Sequence, residues 1–218
     1  DASKCTACGD CAKACPITVK DEFNQGLAER KAIYRPYAQA VPNAYLVTKR
    51  GTSPCKNACP ADTSAQGYLA LIAAGRYAEA LEVIKQYNPF PATVGRVCNH
   101  RCETECNRGK VDQPVAICAL KRFVADRMYA EADKAKETPP KPAPLKGKKV
   151  AIVGSGPAGL TAAHFLARMG YQVTIFEALP VAGGMMRVGI PAYRLPRQVL
   201  QREIDNILAL GVDLQLYS

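Results

Sequence analysis

The residues of this chain best equipped for chemistry are its ten cysteines. Four open the sequence as Cys5-Thr-Ala-Cys8-Gly-Asp-Cys11-Ala-Lys-Ala-Cys15-Pro16, a C-x2-C-x2-C-x3-C-P run. The others are Cys55, Cys59, Cys98, Cys102, Cys106 and Cys118. Thiolates at the first spacing wrap successive corners of an iron–sulfur cube, so the run predicts one-electron chemistry. Zinc is the rival ligand, because C-x2-C pairs bind it. Structural zinc prefers two separated pairs, however, and this is one run closed by proline. A disulfide framework would suit a secreted chain. The tight spacing, a glycine-rich segment downstream and the lack of an export signal oppose that, and together predict a reducing cytoplasm.

A second constellation is Gly154-Ser155-Gly156-Pro157-Ala158-Gly159, which fits G-x-G-x-x-G. A lone match is weak, but this one has its context. The strand-like Lys149-Val150-Ala151-Ile152-Val153 precedes it, a helix through Leu160 to Met169 follows, and Glu177 closes the next strand, Gln172–Glu177. That is a βαβ unit. Gly154 permits the tight turn, Gly156 lets the backbone approach a pyrophosphate, and Gly159 lets helix and strand lie close. The first turn of the helix offers free N–H groups and a positive dipole end to phosphates. Glu177 is placed to accept from a ribose diol. The plainer alternative is a glycine-rich turn with no ligand, which explains neither the flanking strand and helix nor the acid.

These residues need four stretches to position them. Residues 1–54 form an iron–sulfur segment and an irregular connector, with prolines at 36, 42 and 54. Residues 55–132 read as helical. Asp62 or Ser64 can cap a helix through Tyr68–Ile72 that stops near Gly75. A second spans Arg76–Ile84 and ends before Pro89. A third starts at Pro114, favourable in a first turn, and runs through Leu120, Phe123, Val124 and Met128. Residues 133–147 form a Pro/Lys-rich linker, extended at Thr138–Pro144. Residues 148–218 begin a Rossmann-like domain. The fold class is therefore α+β and multidomain. The start at Asp1 and the end just after a strand-like Val212–Leu216 suggest a piece of a longer polypeptide.

Bulk properties exclude some classes. No apolar run approaches the ~20 residues of a membrane span. The formal charge of +10 would suit nucleic acid, but no basic stripe interleaves with aromatics. Two cubes and a flavin dinucleotide, each about −2, would bring the balance to roughly +4. The excess lysine and arginine would then partly serve bound anions. No general base, nucleophile or oxyanion hole is evident, and electron transfer needs none.

The stretch Glu177-Ala178-Leu179-Pro180-Val181-Ala182-Gly183-Gly184-Met185-Met186-Arg187-Val188-Gly189-Ile190-Pro191-Ala192-Tyr193-Arg194-Leu195-Pro196 resembles the flavin-binding domain in the small subunit of glutamate synthase and its relatives. The resemblance implies FAD, held by the glycine loop and Glu177 with Ala178, Gly183, Gly184, Met185, Arg187, Ile190 and Arg194. The alternative for both arginines is a solvated surface. Met185-Met186 suits packing better than chemistry.

Upstream, Pro54-Cys55-Lys56-Asn57-Ala58-Cys59-Pro60, Asn88-Pro89-Phe90-Pro91, Gly95-Arg96-Val97-Cys98, Cys102-Glu103, Cys106 and Leu120-Lys121-Arg122-Phe123 resemble the helical iron–sulfur domain of three proteins. These are the glutamate synthase small subunit, dihydropyrimidine dehydrogenase and the large subunit of NADH-dependent ferredoxin:NADP oxidoreductase. That resemblance assigns Cys59, Cys98, Cys102 and Cys106 to one [4Fe–4S] cluster, and Cys55 to a second. The sequence departs from the pattern near Lys49 and Thr52, where cysteines are missing, and at Lys121, where the family has a Glu or Gln ligand. Cys118, one turn earlier, is a candidate replacement. Residues 1–50 resemble the ferredoxin insertion in the flavoprotein subunit of heterodisulfide reductase, through Cys5–Cys15, Asn24-Gln25-Gly26-Leu27 and Arg30-Lys31-Ala32-Ile33-Tyr34. Cys5, Cys8 and Cys11 would share a cube and Cys15 would reach another. The assignment of Cys15, Cys55 and Cys118 stays open. Neither His100 nor His164 gains a ligand role.

The resemblances imply an iron–sulfur flavoprotein oxidoreductase subunit that passes electrons between FAD and [4Fe–4S] clusters. NAD(P)H would enter through a domain outside this sequence. The expected partners are heterodisulfide-reductase-like, hydrogenase-type or formate-dehydrogenase-type subunits or ferredoxin, in an electron-bifurcating complex. The alternatives are a glutamate-synthase-type small subunit feeding a partner enzyme, and a cluster-carrying scaffold.

Overall fold

The structure is a computed structural model that describes residues 5–15, 18–21, 24–35, 39, 45–47, 51–135, 143–144 and 146–218. The chain divides into two compact units, Asp1–Thr52 and Ser53–Ser218. Among the described residues no helix is long and apolar enough to cross a membrane. Pro36, Pro42, Lys49 and positions 138–142 of the expected linker lie outside the described residues.

In the first unit a short helix, α1 (Asp10–Ala14), follows the non-helical Cys5–Gly9 stretch. Gly9 has φ +84°, a left-handed conformation that favours glycine in this turn. β1 (Thr18–Lys20) and β2 (Glu29–Lys31) pair antiparallel, with Val19 opposite Arg30. Their connection is closed by the Gly26 N–H donating to the Asp21 carbonyl at 2.8 Å, and Gln25 and Gly26 both take positive φ. β3 (Ile33–Tyr34) and β4 (Leu46–Val47) form a second antiparallel pair. The connector expected to be irregular thus carries three of these strands. Each has only two or three residues, too few for a period-2 pattern to show.

The second unit begins with helices. α2 (Pro54–Asn57), α3 (Ala65–Ala73), α4 (Tyr77–Lys85), α5 (Pro91–Val97), α6 (Arg101–Thr104) and α7 (Ile117–Ala135) follow in order, with one 3-10 turn at Asn107–Lys110. α3 ends as its sequence predicts. Gly75 takes φ +73°, and the Arg76 N–H reaches back to the Leu71 carbonyl at 2.9 Å, a 6→1 closure. Ser64 is the N-cap residue, but its side chain makes no capping bond. α7 starts at Ile117 rather than Pro114, because residues 113–116 stay non-helical, and it continues past residue 132 to Ala135. Tyr68, Ile84 and Val124 centre the helical core.

A parallel sheet follows, in the order β5 (Lys149–Val153), β6 (Gln172–Glu177), β7 (Asp213–Leu216). Val150 pairs with Val173 and Ile175 with Leu214. The right-handed βαβ rule places the crossover helices α8 (Pro157–Arg168) and α10 (Arg197–Leu208) on the sheet. A short α9 (Met185–Val188) lies between β6 and α10. Leu160, Ile175, Leu200 and Ile204 are fully enclosed, each worth about 1.5–3 kcal/mol against exposure.

α5 is the element that joins the two halves of this unit. Phe90 is buried in the core of the sheet, with Val94 and Val97 packed against it. The opposite side of α5 meets α7 so closely that a Cβ on Gly95 would sit 2.8 Å from Arg122 Cβ and 2.9 Å from its Cα. Gly95→Ala should therefore destabilise the unit by about 1–3 kcal/mol through overpacking. Urea unfolding of the anaerobic protein checks this, and a change under 0.5 kcal/mol, about the surface-substitution level, would refute the tight contact.

Candidate functional site

Loops and helix ends deliver the second cysteine batch. Cys55 lies in α2, and Cys59 follows two residues after that helix. Cys98 ends α5 in extended conformation, His100 turns left-handed at φ +59°, and α6 then carries Cys102. The i, i+4, i+8 spacing of Cys98, Cys102 and Cys106 is thus broken by a non-helical residue, as convergence requires. Cys55, Cys59, Cys98 and Cys102 line one cavity of about 250 Å³ together with Thr63, Tyr68 and Lys121. Cys106 faces a neighbouring pocket with Pro54, His100, Glu103 and Lys110. Three of the four cysteines that resemblance groups into one cluster therefore meet, and Cys55 joins them.

The thiols sit in contrasting fields. Burial opposes ionisation of Cys59, but the Thr63 amide and hydroxyl, the Ala61 amide and the Lys121 charge outweigh it and lower its pKa. Burial raises Cys102, against Lys121. The Cys106 sulfur is lowered by backbone N–H donors, first Val115 and then Arg108 and Gly109. Cys118 is different. Burial pushes it up to about 11, and its S–H lies 3.6 Å from the carbonyls of both Val94 and Gly95. Its backbone N–H donates to Glu103 Oε1 at 2.7 Å. Among the described residues, no three His, Cys, Asp or Glu side chains converge on a single-ion position. Thiols standing around a cavity suit a polynuclear cluster, whose body fills the space between them, better than one zinc ion.

In the first unit Cys5, Cys8 and Cys11 are exposed and Cys15 is buried. The Cys5 thiol is lowered by backbone N–H donors, Tyr45 first and then Ala7.

The glycine loop lies between β5 and α8. Gly154 takes φ +92°, and its N–H donates to the Phe176 carbonyl at 2.7 Å. Cβ atoms on Gly154 or Gly156 would meet nothing within 4 Å, so this face of the loop is open to a ligand. A Cβ on Gly159 would fall 2.0 Å from the Gly154 carbonyl oxygen. Gly159 is therefore required by helix–strand contact. Gly183 and Gly184 have positive φ, and a Cβ on Gly184 would lie 2.8 Å from Gly156 Cα. The paired glycines thus brace the loop as well as leaving room beside it. Pro157, Ala158, Ala178, Met185 and Arg194 are exposed. Ile190 is half-buried, and Arg187 donates to Gln201 Oε1.

Glu177 is held by the glycine loop and by the turn that follows β6. The Ser155 amide donates to Oε2 at 2.7 Å, joined by the Ser155 hydroxyl, and the Leu179 amide donates to Oε1 at 2.9 Å. A carboxylate has about four lone-pair sites, which leaves Oε1 able to accept from a ribose. The Ser155 hydroxyl is the main reason this carboxyl ionises below the ordinary glutamate range, with the Leu179 and Ser155 amides adding to it. A depressed carboxyl contributes stability that is present above its unfolded value of about 4.3 and is lost as pH falls through the folded value. Glu177→Gln should flatten the acid limb of thermal stability below about pH 4.3; an unchanged slope would contradict this role.

The family pattern of dihydropyrimidine dehydrogenase domain II, 4Fe–4S cluster, matches residues 24–133, just over half of the chain. The chain belongs to this family. The pattern of an NAD(P)-binding Rossmann-like domain matches residues 152–196. The chain is 50% identical to the NADP(+)-dependent formate dehydrogenase subunit beta of Moorella thermoacetica, across 82% of this chain and 28% of that protein. It is 42% identical to the NADPH–Fe(3+) oxidoreductase subunit beta of Geobacter sulfurreducens, across 97% of this chain and 30% of that protein. It is 36% identical to the glutamate synthase small chain of Mycobacterium tuberculosis, across 73% of this chain and 32% of that protein. The chain thus spans about a third or less of the length of these relatives. The two patterns together mark an oxidoreductase chain with a 4Fe–4S domain and a dinucleotide-binding domain.

Two charged residues prove to be buried: Glu203, which the sequence did not single out, and Lys121, which it marked only as a departure from the ligand pattern. Glu203 is fully buried on α10. It accepts from the Ala92 and Thr93 amides at 2.7 and 2.9 Å and from the Tyr129 hydroxyl at 3.3 Å. Lys121 is 7% exposed on α7. Both signals were in the sequence. Glu203 interrupts the apolar series Leu200, Ile204, Ile207, and Lys121 interrupts Ile117, Val124, Ala125, at helical spacing in each case.

Proposed function

We propose that this chain is the flavin-to-cluster relay of a larger oxidoreductase, with FAD in the glycine cradle and a [4Fe–4S] cube in the thiol cavity. The observation that carries the reading is that cradle and cavity lie in one compact unit, Ser53–Ser218, with α5 packed on the sheet core through Phe90, Val94 and Val97 and ending in Cys98. FAD exchanges electrons in pairs or singly, and the cube carries them one at a time.

The chain's own residues place and insulate these groups. The open face of Gly154 and Gly156 and the first-turn N–H groups of α8 receive the pyrophosphate, and Glu177 orients the ribose. Cys59, Cys98 and Cys102 supply three thiolates. For the fourth we favour Cys106, whose sulfur accepts backbone N–H donors, over Cys55, whose S–H donates to the Ser53 hydroxyl at 3.3 Å. Cys118 serves as a packed thiol between α5 and α7. In the first unit Cys5, Cys8 and Cys11 hold a further cube, with Cys15 turned inward. Arg187 and Arg194 border the flavin opening.

The names of the relatives favour a parent protein that draws on NADP(H), for which we propose a separate domain. Partner subunits of formate-dehydrogenase or hydrogenase type, or ferredoxin, follow from that reading, and a reducing cytoplasm suits the thiols. Anaerobic purification tests the proposal. The expected result is released FAD, iron and acid-labile sulfide in cluster proportion, and an EPR signal on reduction. A colourless protein holding zinc without iron would overturn it.

A further inference from the structure

The helical core of the second unit buries a cation beside the cavity where electrons would come to rest, and no carboxylate accompanies it there. Lys121 is 7% exposed and lines the cavity with Cys55, Cys59, Cys98 and Cys102. Among the described residues no ion pair to a carboxylate claims it. Its field is felt by Cys59, Cys102 and Cys118. Arg101 also borders the cavity, but it is exposed and screened by water. A lysine whose stem is buried in the wall of the cavity favours an anion within it. Among the described residues lining this cavity, the groups able to become anionic beside it are the thiols.

We infer that Lys121 is a tuning residue that sets the reduction potential of the cluster held by Cys59, Cys98 and Cys102. This rests on the iron–sulfur reading of the cavity. A cube with four thiolates carries about −2, and one-electron reduction adds a further negative charge. A fixed positive charge at low dielectric favours the more negative state, so it raises the potential. Tyr68 closes the same wall, with its hydroxyl donating to the Ile117 carbonyl at 3.1 Å, and so adds no competing charge. Thr63 serves Cys59 with neutral donors only. Lys121 is therefore the one buried full positive charge among the described residues lining the cavity.

The test is an EPR-monitored redox titration of the complete, anaerobically purified protein, alongside Lys121→Met and Lys121→Arg. Lys121→Met should keep its iron and shift the cluster midpoint negative by at least the ~59 mV that corresponds to a tenfold change in a one-electron equilibrium. Lys121→Arg should stay near the unsubstituted value. An unmoved midpoint in Lys121→Met with iron intact overturns the inference. Iron loss in both variants also overturns it, since that would make the lysine a structural requirement. Absence of iron from the unsubstituted protein would instead fail the function reading, and the same sample reports it.

Discussion

Glu203→Ala is expected to cost about 3–5 kcal/mol, the largest single-residue effect on stability outside the cysteines. The carboxylate belongs to α10 of the sheet half, yet its bonds end on Ala92 and Thr93 in the first turn of α5 and on Tyr129 of α7. Truncation would leave two amides and a hydroxyl without partners in a place closed to water. Each unpaired group costs about 1–3 kcal/mol, and a cavity adds to it. Glu203→Gln keeps one acceptor and should cost less. Burial is the main cause that raises the pKa of Glu203 in the fold. A raised carboxyl favours the folded state at low pH, and that contribution is lost as pH rises through the folded value. The deficit of Glu203→Gln should therefore shrink as pH climbs above the ordinary glutamate range. Urea unfolding as a function of pH measures both effects. A Glu203→Ala cost below about 1 kcal/mol, the level of one ordinary hydrogen bond, would mean that the carboxylate does not hold α5.

The second large effect concerns iron. Cys98→Ser should remove one cube, about four irons per chain, while the flavin remains bound. Cys118→Ala should retain all of the iron and only loosen the α5–α7 contact. The two cysteines differ in kind. Cys98 lines the cavity at the end of α5. Cys118 is held up to about 11 by burial and faces the carbonyls of Val94 and Gly95. Iron analysis and visible absorption of the two purified variants decide the matter. Iron loss in Cys118→Ala would make that thiol a ligand and put the assignment of Cys106 in question.

Much of this was legible in the residues because it rests on local rules. The helices α3 and α4, the strands β5 and β6 and the turn at Gly75 follow from periodicity and glycine placement alone. The glycine loop was readable for the same reason: its strand, turn and helix are contiguous, and the 2.0 Å approach at Gly159 shows what the third glycine permits. Three features escaped. The strands β2, β3 and β4 are too short to show a pattern. Residues 113–116 hold off the start of α7, although proline at 114 favours a first turn. Glu203 and Lys121 owe their roles to partners about 110 and 20 to 60 residues away, which no local window contains. A charge inside an apolar helical stripe was the available warning in both cases.

The most direct test is photoreduction of the bound flavin in the complete anaerobic protein, followed by rapid freezing and EPR. Bleaching of the flavin should be followed by a reduced-cluster signal, and Cys98→Ser should bleach without producing the signal of that cube. Flavin bleaching with no cluster signal in the unsubstituted protein would contradict a flavin-to-cluster relay.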